Sequence, residues 1–92
     1  VTVEFAGLAR VLTHESRIPM NLEEGTTFQE ILQTLGRQYP ALVGEVIHPN
    51  FKSLKSSNML NLNGKRMIQP EQMDQSPSDG DRLILMSILA GG

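Results

Sequence analysis

The chain has 92 residues, enough for one domain with a single small core and too few for two. Eight Lys plus Arg against ten Asp plus Glu leave no basic field to hold a phosphate backbone, which argues against nucleic acid as a partner. The absence of cysteine excludes disulfides, thiolate metal sites and cysteine nucleophiles, and no apolar run approaches the roughly 20 residues of a membrane-spanning helix. Val1-Thr2-Val3-Glu4-Phe5 also lacks the basic and long apolar regions of a signal peptide, so a cytoplasmic protein with no membrane partner is expected.

Val1, Val3 and Phe5 alternate with Thr2, Glu4 and Ala6, the period of two of a strand with one buried face. The alternation breaks from Gly7 to Glu15 and returns from Ser16 to Leu22, with Ile18, Met20 and Leu22 on one side, which predicts a hairpin of two strands joined by a short connection. Pro19 lacks a donor for the ladder, so this second strand belongs at an edge.

Glu23-Glu24-Gly25 is turn chemistry, and Thr27-Phe28-Gln29-Glu30 fits a capping box, in which hydroxyl and carboxylate each satisfy an orphan amide at a helix start. Phe28, Ile31, Leu32 and Leu35 then make one apolar stripe, and Glu30 and Arg37 sit at the helix ends whose partial charges favour them. Tyr39 precedes Pro40, which ends the helix by about Gln38. Pro40 can open a second, short helix with Leu42, Val43, Val46 and Ile47 inward.

Residues 48–57 show no clean period and read as a surface loop pinned by Phe51 and Leu54. Met59 to Leu62 and Lys65 to Ile68 flank Asn63-Gly64, a strong two-residue hairpin signal. Gln69 to Pro77 is polar and turn-rich, anchored by Met73, and Ser78-Asp79-Gly80-Asp81 turns the chain into a last strand. Such elements bury themselves as an α+β layer, a mixed sheet of about five strands packed on one main helix, with the other sheet face uncovered.

The last strand runs into Ala90-Gly91-Gly92. If Arg82 points to water on the uncovered face, period two places Ile84, Met86 and Ile88 beside it and sends Leu83 and Leu85 to the core. Apolar side chains beside a slim tail suggest a protein-binding face. Gly91 can thread a slot too narrow for any Cβ, Ala90 is nearly as slim, and Gly92 carries the terminal carboxylate. Two glycines alone are equally a frayed end. Other candidates are weaker: His14 and His48 lack a second ligand at metal spacing, Glu23-Glu24 and Asp79 with Asp81 sit at turns where exposed carboxylates are usual, and Lys52, Lys55 and Lys65 serve solubility.

The stretches Val3-Glu4-Phe5-Ala6-Gly7-Leu8-Ala9-Arg10, Glu24-Gly25-Thr26-Thr27, Tyr39-Pro40 with Leu42, Leu62-Asn63-Gly64, Asp79-Gly80-Asp81 and Ala90-Gly91-Gly92, in that order and spacing, resemble the MoaD/ThiS family of ubiquitin-like β-grasp sulfur carriers. The resemblance implies a β-grasp domain over residues 1–89 with a tail at 90–92, a monomer when free. It implies no bound cofactor and no catalytic group of its own. A ubiquitin-activating-type adenylating enzyme would use ATP to join AMP to Gly92, and a sulfur donor would displace AMP to leave a thiocarboxylate for a sulfur-accepting enzyme. The large subunit of molybdopterin synthase is one such acceptor. That branch typically carries Pro-Pro where this chain has Ser87-Ile88, so carriers for tRNA thiolation or for metabolite biosynthesis fit as well. Two other functions use the same residues: a modifier joined through Gly92 to target lysines, and a non-covalent adaptor in which Gly-Gly is incidental.

Overall fold

The computed structural model describes residues 1–55 and 57–87. Among these, five strands form one mixed sheet: β1 (Thr2–Phe5), β2 (Arg17–Pro19), β3 (Asn58–Leu62), β4 (Arg66–Met67) and β5 (Arg82–Ser87), in the order β2-β1-β5-β3-β4. The chain's first and last strands lie side by side and parallel at the centre, with Phe5 opposite Leu85, and the other pairings are antiparallel. This is the β-grasp arrangement expected from the sequence.

One face of the sheet is closed by α2 (Phe28–Gln38), whose stripe Phe28, Ile31, Leu32 and Leu35 is at most 1% exposed. It packs on Val3, Phe5, Leu60, Leu83 and Leu85, together with Leu42, Val46 and Ile47, in one hydrophobic cluster. Each such buried side chain contributes about 1.5–3 kcal/mol. Burial of the stripe holds this 11-residue helix, since helices so short are marginal alone.

The start of α2 is satisfied by two devices. The capping box forms as expected, with the Glu30 amide donating to Thr27 Oγ1 at 3.1 Å and the Thr27 amide to Glu30 Oε1 at 3.0 Å. The Phe28 and Gln29 amides donate to the carbonyls of Gln75 and Met73, so the segment anchored by Met73 also serves as a cap. Pro70–Gln72 forms a 3-10 turn there that the polar composition did not suggest. Pro40 opens a 3-10 helix over Pro40–Leu42, after which Leu42, Val46 and Ile47 are buried while Val43 is only partly so.

Two expectations require correction. The connection between β1 and β2 is not a short loop but a helix, α1 (Leu8–Thr13), which buries Ala9 and Thr13. Six residues are too few to show a helical period. It is instead set up by Gly7, whose backbone (φ 64, ψ −132) reverses the chain, and closed by Thr13 Oγ1 donating to the Ala9 carbonyl and by left-handed His14. The second correction is the length of β2, which ends at Pro19 rather than Leu22. The Met20 amide still donates to the Val1 carbonyl, and Met20 and Leu22 pack against the core after the ladder has ended. Pro19 lies on an edge strand, as its missing donor requires.

The 48–57 loop is pinned as expected: Ile47 bridges Leu54, and the Phe51 ring lies against Gly36 of α2. Asn63 and Gly64 both have positive φ, the type I′ geometry that matches strand twist, so β3 and β4 pair across them.

Candidate functional site

β5 alternates as the sequence predicts: Leu83 and Leu85 are fully buried, Arg82 is exposed, and Ile84 and Met86 are half-buried on the face opposite α2. Register assembles a surface around them. Glu4, Ile84, Asn61 and Met67 lie in one row across β1, β5, β3 and β4, and Met86 lies beside Met59 in the next. The result is an apolar patch of Ile84, Met86, Met59 and Met67 around Asn61, with Arg82 and Glu4 at one margin. Methionine is unbranched and polarizable, so a surface built from it adapts its shape readily.

Sequence reasoning found Arg82, Ile84 and Met86 but missed Met59, Asn61 and Met67. The signal was present in β3, where an inward Leu60 forces Met59 and Asn61 outward. What sequence could not supply is that β3 lies next to β5, which only the register shows.

Polar contacts within the patch are sparse. Arg82 Nε meets Glu4 Oε2 at 3.3 Å, with the two side chains 48% and 28% exposed, so solvent limits this pair to at most about 1 kcal/mol. Asn61 Nδ2 donates to Met67 Sδ at 3.6 Å, while Asn61 Oδ1 is buried with no hydrogen-bond partner. Met59 and Met67 also line a groove of about 300 Å³ shared with Leu54, Ile68 and Met73.

At the start of β5, Asn63 anchors the hairpin to the neighbouring strand. Its Oδ1 accepts from the Arg82 amide at 2.8 Å and its Nδ2 donates to Asp81 Oδ1 at 3.0 Å, while Asp81 Oδ2 accepts from the Ser78 amide at 2.7 Å. The bond from Asn63, followed by that from Ser78, holds the Asp81 carboxyl below its ordinary value. This network is structural, since every group in it is engaged with its neighbours.

At the other end, β5 stops at Ser87. Ile88, Ala90, Gly91 and Gly92, named from the sequence, lie outside the described residues. The remaining candidates do not converge. His14 is exposed at the end of α1, and exposed His48 accepts from the Asn50 amide through Nδ1. Glu23, Glu24 and Asp79 are exposed, as are Lys52, Lys55 and Lys65. No group of three or more His, Asp or Glu that could hold a metal ion occurs among the described residues. No helix among them is long and apolar enough to cross a membrane.

The fold recurs in solved structures. SAMP1 from Haloferax volcanii superposes with a TM-score of 0.81 at 18% identity, covering 99% of this chain and 97% of that one. A putative molybdopterin converting factor, subunit 1, from Pyrococcus furiosus gives 0.75 at 16% identity, over 96% and 95% of the two chains. A chain of the BexX/CysO complex of Amycolatopsis orientalis gives 0.74 at 19% identity, over 99% and 98%. At such identities these likenesses speak to fold alone. A search of curated proteins finds no match. A scan against protein families, by contrast, matches residues 3–92 to the ThiS family. Because that match runs from Val3 in β1 through β5 and on to Gly92, the chain belongs to the ThiS family, the MoaD/ThiS type of ubiquitin-like protein that its motifs resemble.

Proposed function

We propose that this chain is a sulfur carrier: a protein co-substrate, not a catalyst, whose Gly92 carboxylate is adenylated and then converted to a thiocarboxylate. The observation that carries the reading is the family match over residues 3–92, which takes in Ala90-Gly91-Gly92. A terminal carboxylate is ionised at neutral pH and is a poor electrophile, so it needs activation. One of its oxygens attacks the α-phosphorus of ATP on a ubiquitin-activating-type enzyme, and pyrophosphate leaves. A sulfide-level nucleophile then adds to the Gly92 carbonyl carbon and AMP departs. Sulfur remains on Gly92 for a sulfur-accepting enzyme, with molybdopterin, tRNA or metabolite biosynthesis as destinations. The chain supplies delivery. Gly91 and Ala90 thread the partner's channel, and Arg82, Ile84, Met86 and Ile88 form the face on which that enzyme rests. The patch that Ile84 and Met86 form with Met59 and Met67 supports this reading, as does a neighbour whose solved structure is itself a complex, BexX/CysO.

The likeness to SAMP1 favours a second reading, since other structural neighbours are described as small archaeal modifier proteins. In it the same adenylate passes Gly92 to a target lysine. Intact mass of the protein from its own host, purified without thiols, tests both and establishes whether Gly92 ends the chain. A gain of roughly 16 Da localised to Gly92 marks the thiocarboxylate, and lysine-linked adducts on denaturing gels mark the modifier. An unchanged mass after incubation with ATP, the host's adenylating enzymes and a sulfur donor would refute both.

A further inference from the structure

We infer that Ser87 is a positioning residue for the terminal chemistry: its hydroxyl, held by the Leu8 amide against the side-chain-free backbone of Gly7, fixes the root from which Ala90-Gly91-Gly92 is presented to the adenylating enzyme. This rests on the carrier reading above.

The need for such a device follows from topology. β1 accompanies β5 only as far as Phe5 opposite Leu85, and the Ala6 amide adds one more bond, to the Leu85 carbonyl at 3.0 Å. At Gly7 the chain then turns into α1, so the ladder on this flank ends two residues before β5 does. On the other flank Ser87 is in register with Asn58, the first residue of β3. The end of β5 would therefore be gripped from one side only, by the end of another strand. A side chain replaces the missing backbone partner: the Leu8 amide donates to Ser87 Oγ at 2.9 Å, joining residues 79 apart in sequence.

Gly7 is shaped for the same contact. A Cβ there would lie 2.6 Å from Ser87 Oγ and 3.2 Å from the Ser87 carbonyl oxygen, and the residue already has φ +64. Glycine admits both the conformation and the approach. Two residues thus converge on the last turn of backbone before the tail, one supplying an oxygen and the other supplying room.

The mechanical consequence is a fixed origin. Five residues follow Ser87 in the sequence, and fully extended they span at most about 17 Å. A root at Ser87 aims that short lever. If the strand end opens back to Leu85, two residues join the lever, adding about 7 Å and releasing its direction. Fewer bound complexes would then hold the carboxylate in line with ATP, which lowers the rate of the bound state rather than binding itself.

The test compares wild type with Ser87→Ala, Ser87→Thr, Gly7→Ala and the Ser87→Ala/Gly7→Ala double variant. The readouts are hydrogen exchange at the Leu8 amide and kcat and KM for the carrier in ATP–pyrophosphate exchange with the host's adenylating enzyme. Ser87→Ala should speed Leu8 exchange and lower kcat about threefold to tenfold, the worth of one hydrogen bond, with KM within about twofold because the Ile84 and Met86 face is intact. Ser87→Thr should restore kcat. The double variant should be little worse in kcat than either single one, because both act on one contact. Faster Leu8 exchange with unchanged kcat would show a hydroxyl that only caps α1, and unchanged exchange would show no bond; either overturns the inference and leaves the carrier reading standing. A wild-type chain that no host enzyme adenylates would overturn the carrier reading, and this inference with it.

Discussion

Gly36 sets two known effects against each other. It lies inside α2, where alanine is favoured over glycine by about 0.8–1 kcal/mol. A Cβ at this position would stand 2.5 Å from Cε1 and 2.9 Å from Cδ1 of Phe51, and 3.2 Å from Cγ2 of Val43. Phe51 has little slack to retreat, because it is held at φ 61, a left-handed backbone that a bulky residue rarely adopts. Forcing a methyl into such a contact costs about 1–3 kcal/mol, so the clash wins and Gly36→Ala should destabilise by about 1 kcal/mol. For a chain of this size that lowers the melting temperature by about 4–8 °C. In a Phe51→Ala background the two closest contacts are gone and only Val43 Cγ2 at 3.2 Å remains, so the helical preference prevails and the same substitution should stabilise, by up to about 1 kcal/mol. Urea unfolding of the four proteins, followed by far-ultraviolet circular dichroism, reads the sign directly. A neutral or stabilising Gly36→Ala in the wild-type background would refute the packing argument, and an unchanged sign with Phe51→Ala would show that the clash lies elsewhere.

Three further outcomes are expected. Gly91→Arg should abolish adenylation while leaving the unfolding curve unchanged, and a normal rate of pyrophosphate exchange would remove the threading role. Met86→Asp, which places a charge in the open-face patch, should raise KM for the adenylating enzyme about tenfold or more, as loss of an interface anchor does; an unaltered KM would move the docking surface elsewhere. The depressed Asp81 carboxyl contributes stability that is complete above its unfolded value near 3.8 and is lost as pH falls through the lower folded value. Asp81→Asn should therefore narrow its stability gap to wild type as the solution is acidified below about pH 4, and a gap that stays constant in acid urea titrations would contradict the assignment.

Strong local signals carried most of the architecture. The Thr27–Glu30 box, the Phe28–Leu35 stripe and the Asn63-Gly64 turn each specify their element within a few residues, and each formed as read. Alternation along β5 also placed Ile84 and Met86 on the open face before any neighbour was known. What escaped notice depends on distant partners. α1 needs Gly7 to reverse the chain against Ser87, and the second use of Asn63, bracing β5 through Arg82 and Asp81, exists only because the hairpin lies beside that strand. Met59 and Met67 looked like ordinary strand residues until register set them beside Met86 and Asn61.

The parallel pairing of β1 with β5 ties the fold to the order in which the chain is made. Val3 and Phe5 leave the ribosome long before the strand that must lie beside them, which begins at Arg82. At translation rates of about 5–20 residues per second, the opening strand waits about 4–15 s for its central neighbour. Until then the sheet lacks its middle, and the apolar residues meant to flank β5 have nothing to close on. A product of a ribosome interrupted before Arg82 thus lacks the central strand on which both halves of the sheet close, whatever its other elements have formed.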